Sequence, residues 1–352
     1  MMLPKHKKTL PKEGLNKILI RGTNWIGDAV MTLPAIASVR AAYPESRISI
    51  LAKPIVADIY KLFAEVDEII VYKKQFDNPL GVFRLARVLH KKEFDAAILL
   101  QNAIEAAIMT FAARIKSRAG YNSDGRGLLL THSVKRTSQV REIHQVGYYL
   151  EMVKALGCPP VGQEMHLQSK INRVTAQNIL REFLPDSKNI IGIAPGATYG
   201  PAKRWLPDRF AAVADKLKDM FDCQVILLGG KDDWQTAEEV KRRAGSDLIN
   251  FSGKTTVREA VYLISQCSLF ISNDSGLMHI AGALNIPTVA IFGSTNPVTT
   301  SPIGEKIIIV RKEVSCSPCL KETCPTDFRC MNLITVDDVL SAAQTIMKRS
   351  QG

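Results

Sequence analysis

The chain has 352 residues, of which 46% are hydrophobic, and its formal net charge at pH 7 is +12. This length and composition exclude a disordered chain and predict two α/β domains rather than a single core. The basic excess indicates an acidic partner, such as nucleic acid, an anionic membrane surface or a phosphorylated substrate. The sequence predicts neither a membrane-spanning helix nor a secretory signal, so we expect a cytoplasmic protein.

The first half alternates short apolar runs with helical patterns, which is typical of a parallel sheet with helical crossovers. A basic tail, 1–16, precedes a predicted N-terminal domain, 17–160, in which the polar stretch 122–140 is predicted to be a long loop. The predicted strands are 17–21, 47–52, 68–72, 95–100 and 117–121, and the predicted helices are 29–42, 54–63, 80–91, 103–114 and 142–157.

The same alternation returns after a predicted linker, 161–170, and defines a second domain, 171–335. The remaining segment, 336–352, is predicted to form a C-terminal helix that is a candidate to pack back on the N-terminal domain. The predicted strands are 189–194, 223–228, 248–251, 268–272, 287–292 and 306–311, and the predicted helices are 171–184, 207–221, 234–243, 256–266, 276–285 and 336–348.

A glycine-containing turn follows the first predicted strand and leads into a helix at Asp28. The turn, residues 22–28, has neither the GxGxxG pattern nor the Walker lysine, so it indicates neither a dinucleotide site nor a P-loop. Asp28 is compatible with a helix cap, but its carboxylate would repel a phosphate bound at that helix end. A carboxylate at this edge of a sheet could instead act as a general base toward a hydroxyl.

A similar turn, residues 273–279, follows the strand 268–272 and suits an anion better. Ser275 and Gly276 can present backbone N–H groups at a helix start, and Ser275 adds a hydroxyl. His279 lies on the same helical face as Ser275, although a lone histidine on a helix is more often structural than ligand-binding. This second turn is therefore the candidate phosphate site.

Two further strand ends in the second half carry polar groups. The turn 195–198 is followed by Lys203 and Arg204, cations that suit a diphosphate but are also compatible with an ordinary basic loop. Asp232 follows another strand, where acidic groups commonly meet sugar hydroxyls. Together these residues predict an anion-stabilising second domain and a base in the first.

Three motifs, in this order, resemble the ADP-heptose:lipopolysaccharide heptosyltransferases, or glycosyltransferase family 9. They are Gly27-Asp28-x3-Thr32-Leu33-Pro34, Pro195-Gly196-Ala197 with Lys203 and Trp205, and Asn273-Asp274-Ser275-Gly276-x2-His279. The opening 21–28 and a late cysteine cluster are more similar to the type II than to the type I members. The resemblance implies an α/β GT-B fold, with two Rossmann-like domains whose parallel sheets face a central cleft, and an inverting, metal-independent transferase that needs no cofactor.

The family's residues carry over to matching positions of this chain. The resemblance implies that Asp28 is the base and that Lys203 neutralises the leaving diphosphate of ADP-heptose. The implied donor-binding residues are Thr198, Asp232, Thr255, Asp274, Ser275, Gly276 and His279.

The implied acceptor is the inner core of lipopolysaccharide, a Kdo-lipid A that already carries heptose. Its carboxylates and phosphates suit a basic first domain, and the implied location is peripheral, on the cytoplasmic face of the inner membrane. The candidate acceptor-binding residues are Lys53, Arg118, Arg126, Lys135, Arg136 and His144.

Two alternatives to this function stay open. One is heptosyltransferase I, or another family member with a different acceptor or sugar. The other, of a different class, is a non-catalytic basic α/β protein that binds nucleic acid. The dispersed basic residues and the lack of a recognised reading motif disfavour it, so we expect no nucleic-acid partner.

Four cysteines, Cys316, Cys319, Cys324 and Cys330, lie within fifteen residues of each other. Such clustering in a cytoplasmic chain suggests a structural zinc ion, although the spacing fits no standard zinc ribbon. Free thiols, or disulfides formed after isolation, are the alternatives. In each case we expect the cluster to lie outside the chemistry.

Overall fold

The computed structural model of the protein describes residues 9–73, 78–165, 167 and 189–351. The chain divides into two compact units, Met1–Glu164 and Met165–Gly352, and the division falls inside the predicted linker. The predicted helix 171–184 and the first eight residues of the basic tail lie outside the described residues. No helix in the described ranges combines the length and the apolar character needed to cross a membrane.

The first unit is a parallel sheet with helical crossovers, as the alternating pattern predicts. Its strands are β1 (Lys17–Arg21), β2 (Arg47–Ala52), β3 (Glu68–Val71), β4 (Ala96–Leu99), β5 (Ser117–Tyr121) and β6 (His132–Val134). Its helices are α1 (Ile26–Met31), α2 (Leu33–Ala42), α3 (Pro54–Lys61), α4 (Pro79–His90), α5 (Ile104–Ala112), α6 (Ser138–Glu142) and α7 (Gln145–Ala155), with a 3-10 turn at Arg126–Leu129.

The second unit repeats this architecture. Its strands are β7 (Ile190–Ala194), β8 (Gln224–Leu227), β9 (Ile249–Asn250), β10 (Leu269–Asn273), β11 (Thr288–Ile291) and β12 (Ile307–Val310). Its helices are α8 (Pro207–Phe221), α9 (Trp234–Arg243), α10 (Val257–Ser265), α11 (Gly276–Ala283), α12 (Pro297–Thr300), α13 (Arg329–Asn332) and α14 (Val336–Gln351), with 3-10 turns at Pro201–Lys203 and Lys231–Asp233.

Both sheets have the same strand order, and all their strand pairs are parallel. The first sheet runs β3-β2-β1-β4-β5-β6 and the second runs β12-β11-β10-β7-β8-β9. Each is the doubly wound Rossmann order, which reverses direction between β1 and β4 in the first sheet and between β7 and β10 in the second. Ligands of such sheets bind outside the carboxyl ends of the strands at this reversal. The topology therefore predicts a site after β1 and β4, and another after β7 and β10.

The central strands are apolar because helices cover both faces of each sheet. Ile18, Leu19 and Ile20 of β1 are fully buried, and so are Leu269, Phe270 and Ile271 of β10. Gly192 in β7 leaves room for a neighbour, since a Cβ there would lie 2.6 Å from a ring carbon of Phe270. This packing fixes the strand ends from which the site residues project.

The structure differs from the sequence prediction in two places. The predicted helix 29–42 is two helices, α1 and α2, which meet at Thr32 before a proline at the start of α2. The predicted loop 122–140 contains β6 and the start of α6. The C-terminal helix α14 packs against α8, β11 and β12, and its buried side chains, among them Ala343 and Ile346, belong to the core of the second unit.

Candidate active site

The turn after β1 is held from inside the protein by Arg21. This residue is buried, and its Nη1 donates to the carbonyl of Gly22 at 2.6 Å while its Nη2 donates to Asn24 Oδ1 at 3.0 Å. Burial lowers the pKa of the Arg21 guanidinium. A buried cation is retained here because it satisfies the polar groups of the turn, which fixes the path of the backbone toward Asp28.

Tyr60 of α3 fills the space beneath the same turn. A Cβ at Gly22 would lie 2.8 Å from Tyr60 Cε2, so the glycine permits the close approach. The Tyr60 hydroxyl accepts from the backbone N–H of Thr23 at 3.3 Å and lies 3.2 Å from Thr32 Oγ1. Burial raises the pKa of Tyr60, so its hydroxyl stays neutral and serves as a hydrogen-bonding group.

Asp28 lies half-buried in the first turn of α1, just after the carboxyl end of β1. Burial, followed by the negative charge of Asp28, raises the pKa of Tyr149 well above its ordinary value, while Arg136 opposes the shift. Both Asp28 and Arg136 are therefore close enough to act on Tyr149. The first unit thus places a carboxylate and a cation within electrostatic range of one buried tyrosine.

Two predicted acceptor residues, Arg118 and Arg126, are buried and have structural roles. Arg118 Nε donates to the carbonyl of Leu129 at 2.7 Å, and its guanidinium lies 5.2 Å from the ring centre of Phe111. Arg126 Nε donates to the carbonyl of Tyr121 at 2.7 Å, and burial lowers the pKa of Arg126 to about 10. Because these guanidinium groups bond to backbone inside the unit, the prediction that they form an acceptor surface is not supported.

The other predicted acceptor residues lie closer to the surface. Lys53 precedes α3, with its ammonium 6.0 Å from the ring centre of Tyr72, and Arg136 lies 5.6 Å over the ring of Tyr148. Lys135 is exposed beside Arg136. His144 caps α7 by accepting from the N–H of Val146 and borders an open pocket of about 650 Å³. These side chains are accessible to a ligand.

The second unit brings Lys203, Asp274 and Thr295 together at the reversal of its sheet. Lys203 Nζ lies 2.6 Å from Asp274 Oδ2, and the Thr295 hydroxyl donates to the same oxygen at 2.6 Å. Asp274 follows β10, Lys203 belongs to the segment after β7, and Thr295 belongs to the segment after β11. The segments after β7 and β11 therefore meet at one carboxylate oxygen at the end of β10.

Asn273 ties the same segments together. Its amide donates to the carbonyl of Pro195 at 2.7 Å, and its Oδ1 accepts from the N–H of Trp205 at 3.0 Å. Trp205 is fully buried, so the turns on both sides of Lys203 are anchored to the end of β10. This arrangement fixes the ammonium group where the topology predicts a ligand.

The remaining predicted donor residues divide into accessible and buried ones. Ser275 and Gly276 lie half-exposed at the start of α11, next to Asp274, and Thr198 is exposed. Asp232 is exposed after β8, and Thr255 is half-exposed after β9, at the edge of the sheet. His279 is 3% exposed inside α11. The structure therefore brings Ser275 and Gly276 together with the Lys203–Asp274 pair.

Asp233 was not predicted from the sequence, which indicated the neighbouring Asp232 instead. Asp233 is buried, and its Oδ2 accepts from the N–H of Gly230 at 2.9 Å. A Cβ at Gly196 would lie 2.1 Å from Asp233 Cγ, so the turn after β7 packs directly on this carboxylate. The Asp233 carboxylate thus holds the two glycine turns after β7 and β8 together. The glycines in both turns are the sequence feature that could have indicated this close packing.

The cysteine-bearing segment contacts the loops that carry the candidate site. Leu320 donates its N–H to the carbonyl of Ser294 at 2.8 Å and accepts at its own carbonyl from the Tyr199 hydroxyl at 2.8 Å. The N–H of Ala202 donates to the carbonyl of Glu322 at 3.0 Å. The segment therefore bridges the loops that carry Lys203 and Thr295.

The four thiols of this segment lie near one another. Burial, followed by the charges of the other three cysteines, raises the pKa of Cys330. Across the ranges that the structure describes, no three His, Cys, Asp or Glu side chains are grouped so as to hold a metal ion.

Known proteins resemble this chain in sequence and in structure. Lipooligosaccharide heptosyltransferase 2 of Haemophilus influenzae is 31% identical over 84% of this chain and 88% of its own. Lipopolysaccharide heptosyltransferase 2 of Escherichia coli is 30% identical with the same coverage. The solved structure of E. coli ADP-heptose lipopolysaccharide heptosyltransferase II superimposes with a TM-score of 0.83, at 27% identity, over 96% of this chain and all of its own.

The fold of the chain is GT-B, with two Rossmann-like units. Residues 82–328 match the family described as glycosyltransferase family 9 (heptosyltransferase). The match covers more than half of the chain and includes Lys203 and the segment 273–279. The chain belongs to glycosyltransferase family 9 and is a glycosyltransferase.

Proposed function

We propose that this enzyme is a heptosyltransferase II, which transfers L-glycero-D-manno-heptose from ADP-heptose to the heptosyl-Kdo2-lipid A inner core of lipopolysaccharide. The observation that carries the proposal is the Lys203 ammonium, held beside the start of α11 at the reversal of the second sheet. A cation next to a helix N-terminus suits a diphosphate. The relatives at 30–31% identity named heptosyltransferase 2 support the same substrates.

In this proposal the second unit holds the donor. Lys203 and the N–H groups at Ser275 and Gly276 bind the diphosphate, with Thr198 as a further contact. Asp274 would repel a diphosphate if it were unpaired, so its role is to hold Lys203 in place. The remaining donor contacts proposed are Asp232 with a ribose or sugar hydroxyl, Thr255 with the adenosine end, and His279 with the heptose.

Asp28 is the proposed general base. It takes the proton of an acceptor hydroxyl as that oxygen attacks the anomeric carbon from the face opposite ADP. The bond between the anomeric carbon and the diphosphate oxygen breaks, and ADP leaves with the electron pair. Lys203 and the start of α11 stabilise the charge that develops on the diphosphate, so we propose that the reaction requires no divalent metal.

The acceptor is anionic and attached to lipid. We propose that Lys53, Lys135, Arg136 and His144 contact its carboxylates and phosphates, since these side chains are accessible in the first unit. The enzyme would then work peripherally at the cytoplasmic face of the inner membrane.

The test is ADP release by the purified enzyme with ADP-heptose, in the presence of EDTA, with two acceptors in parallel. We expect turnover with heptosyl-Kdo2-lipid A and little with Kdo2-lipid A. Preference for Kdo2-lipid A would instead assign heptosyltransferase I. Turnover with neither acceptor, by protein that still binds ADP, would point to a different sugar or acceptor, and loss in EDTA would contradict metal independence.

A structural zinc ion on Cys316, Cys319, Cys324 and Cys330 stays a separate proposal. It is supported by the closeness of the four thiols, although their arrangement here would have to change to surround an ion. Metal analysis of protein purified under reducing conditions tests it. One equivalent of zinc that is lost in the Cys319→Ser variant would support the site, and metal-free, fully folded protein would reject it.

A further inference from the structure

The outer faces of α4 and α5 expose an unusual concentration of large hydrophobic side chains. The described part of the chain exposes eighteen such side chains, and six of them fall within residues 80–111. Scattered exposed apolar residues are ordinary, but a contiguous group marks an interaction surface. The six are Leu80, Phe83 and Val88 of α4 with Ile104, Ile108 and Phe111 of α5. We call these six residues, together with the exposed Arg84, Arg87 and Arg114, the α4–α5 surface.

The two helices lie side by side, so their exposed residues form one surface. They pack against each other and bury their opposite faces in the same core cluster, which includes Leu85, Leu89 and Met109. At their ends, His90 Nδ1 lies 3.0 Å from the carbonyl of Ala113. On α5, Ile104, Ile108 and Phe111 are spaced four and three apart, which places them on one face. On α4, Leu80 and Phe83 are three apart, and Val88 lies eight residues, about two turns, after Leu80.

Helix α5 has almost no polar group on its outer face. Its exposed positions are Ile104, Glu105, Ile108 and Phe111. Glu105 is the one charged residue of the helix, and its carboxylate accepts from the Tyr72 hydroxyl at 2.7 Å. An outward face of this composition is unfavourable in water and is typical of helices that lie in a membrane interface.

The charges around the apolar residues are mostly positive. Arg84 and Arg87 are exposed between Phe83 and Val88 on α4, and Arg114 is exposed just beyond the end of α5. Residues 78–117 contain six Lys and Arg against three Asp and Glu. Apolar side chains bordered by arginines match an anionic lipid surface, where basic residues meet phosphate headgroups. A second copy of the chain would instead bring like charges together.

The α4–α5 surface lies next to the sheet edge at which a lipid-linked acceptor would react. Helix α5 starts two residues after Asn102, at the carboxyl edge of β4, and β4 is the neighbour of β1, which leads to Asp28. The α4–α5 surface therefore begins at the sheet edge that carries the candidate base. A bilayer against this surface would place lipid headgroups next to that edge.

We propose that the α4–α5 surface docks the enzyme on an anionic membrane, so that the saccharide of a lipid-linked acceptor reaches the carboxyl edge of the first sheet. The identity of the acceptor rests on the proposed function, but the docking surface does not depend on which saccharide is glycosylated. Arginines bind lipid phosphates while Phe83, Ile104, Ile108 and Phe111 enter the headgroup region.

The test is co-sedimentation with vesicles of phosphatidylethanolamine and phosphatidylglycerol, compared with phosphatidylcholine vesicles. The double variant Phe83→Ser/Ile104→Ser should bind the anionic vesicles about tenfold to a hundredfold more weakly than wild type. Arg84→Glu/Arg87→Glu should weaken binding about tenfold or more at low salt, with little loss on the neutral vesicles. Matched controls, Met220→Ser/Leu333→Ser and Arg242→Glu/Arg258→Glu, change equally exposed residues of the second unit and should bind normally.

A second readout separates this proposal from the proposed function. Turnover of a deacylated, water-soluble acceptor should be unchanged in Phe83→Ser/Ile104→Ser, because that reaction needs no membrane. Vesicle binding by wild type that survives in this variant, or an equal loss in the controls, would overturn the docking surface while leaving the transferase function standing. Sedimentation velocity without vesicles completes the test, since a wild-type dimer that dissociates in the variant would show that a second copy covers the surface.

Discussion

Lys203 and Asp274, 71 positions apart in the sequence, form an ion pair of 2.6 Å at the reversal of the second sheet. The carboxylate is 4% exposed and the lysine side chain 15% exposed, so water screens the pair poorly. The pair holds an ammonium group ready for an anionic ligand without leaving it unpaired in the ligand-free protein. The pair serves to position the ammonium group rather than to stabilise the fold, because a buried ion pair contributes little net stability.

The first prediction concerns this pair. Lys203→Met should lower kcat/KM about a hundredfold, because the developing charge on the diphosphate loses a cation. Asp274→Asn should also lower kcat/KM, since the lysine loses its anchor. The double variant should lose little more than Lys203→Met alone, because both residues act through one contact.

The control for this cycle is the exposed pair Lys216–Asp337, with Nζ 3.3 Å from Oδ1. Lys216→Met and Asp337→Asn should each leave kcat/KM close to wild type. Strictly additive losses for Lys203→Met and Asp274→Asn would contradict a shared role. The urea midpoint should also fall for Lys203→Met, because that variant leaves a buried carboxylate unpaired.

Thr295 is predicted to position the same carboxylate. Thr295→Val removes the hydroxyl that donates to Asp274 Oδ2 at 2.6 Å and keeps the shape of the side chain. We expect the KM for ADP-heptose and the Kd for ADP to rise about tenfold, which is the typical effect of one hydrogen bond to a charged group. Isothermal titration with ADP measures the Kd.

Two further variants make this test specific. Thr295→Ser keeps the hydroxyl and should restore ADP affinity, whereas a role in packing alone would leave it impaired. Thr299→Val removes a hydroxyl that donates to the carbonyl of Asn296, on the neighbouring helix α12, and should have little effect. Equal losses in Thr295→Val and Thr299→Val would reject the positioning role.

Gly196 should be intolerant of any side chain. A Cβ at this position would lie 2.1 Å from Asp233 Cγ, and Asp233 is itself bonded to the N–H of Gly230. We expect Gly196→Ala to lower the free energy of unfolding by about 1–3 kcal/mol, measured by urea denaturation. Gly245→Ala is the matched control, since its nearest contact would be 3.6 Å away. No difference between the two variants would mean that the turn after β7 can shift freely.

Cys324 should be the most acid-shifted of the described thiols. The Thr326 hydroxyl, 3.6 Å from its sulfur, and then the Thr326 N–H lower the pKa of Cys324, whereas burial raises the pKa of Cys158 to about 12. Because alkylation requires the thiolate, Cys324 should react at lower pH than an ordinary thiol, and Cys158 should react only at much higher pH.

Mass spectrometry of iodoacetamide-treated protein across a pH series measures both rates. Thr326→Val should move the midpoint of Cys324 labelling to higher pH and leave Cys158 labelling unchanged. Labelling of Cys324 with the pH profile of a small-molecule thiol would contradict the assigned hydrogen bonds.

The fold was largely predictable because both sheets are parallel and covered on both faces. Strands such as β1 and β10 appear in the sequence as apolar runs between turns and helices, which few other structures produce. Strand β6 was not predicted because it has only three residues, two of them polar. Helices α1 and α2 were predicted as one helix, because the residue at their junction, Thr32, has helical backbone angles and the sequence shows no break there.

Site residues could be predicted in the segments that follow the strands. Asp28, Asp274 and Lys203 were predicted from such segments, and the contact between the last two supports their choice. Thr295 and Asp233 were missed because their importance depends on which atoms they face. Arg126 was predicted to lie at the surface, but it is buried in the structure. The sequence alone does not show which charged residues are buried.

The most direct test of this account is acceptor-dependent ADP release by wild type and Asp28→Asn, with ADP-heptose and heptosyl-Kdo2-lipid A. We expect Asp28→Asn to bind ADP with wild-type affinity and to lose turnover by about a hundredfold to ten-thousandfold. Asp58→Asn, a change to another half-buried carboxylate of the first unit, should retain full turnover. Undiminished turnover in Asp28→Asn would contradict the assignment of the base and with it the proposed mechanism.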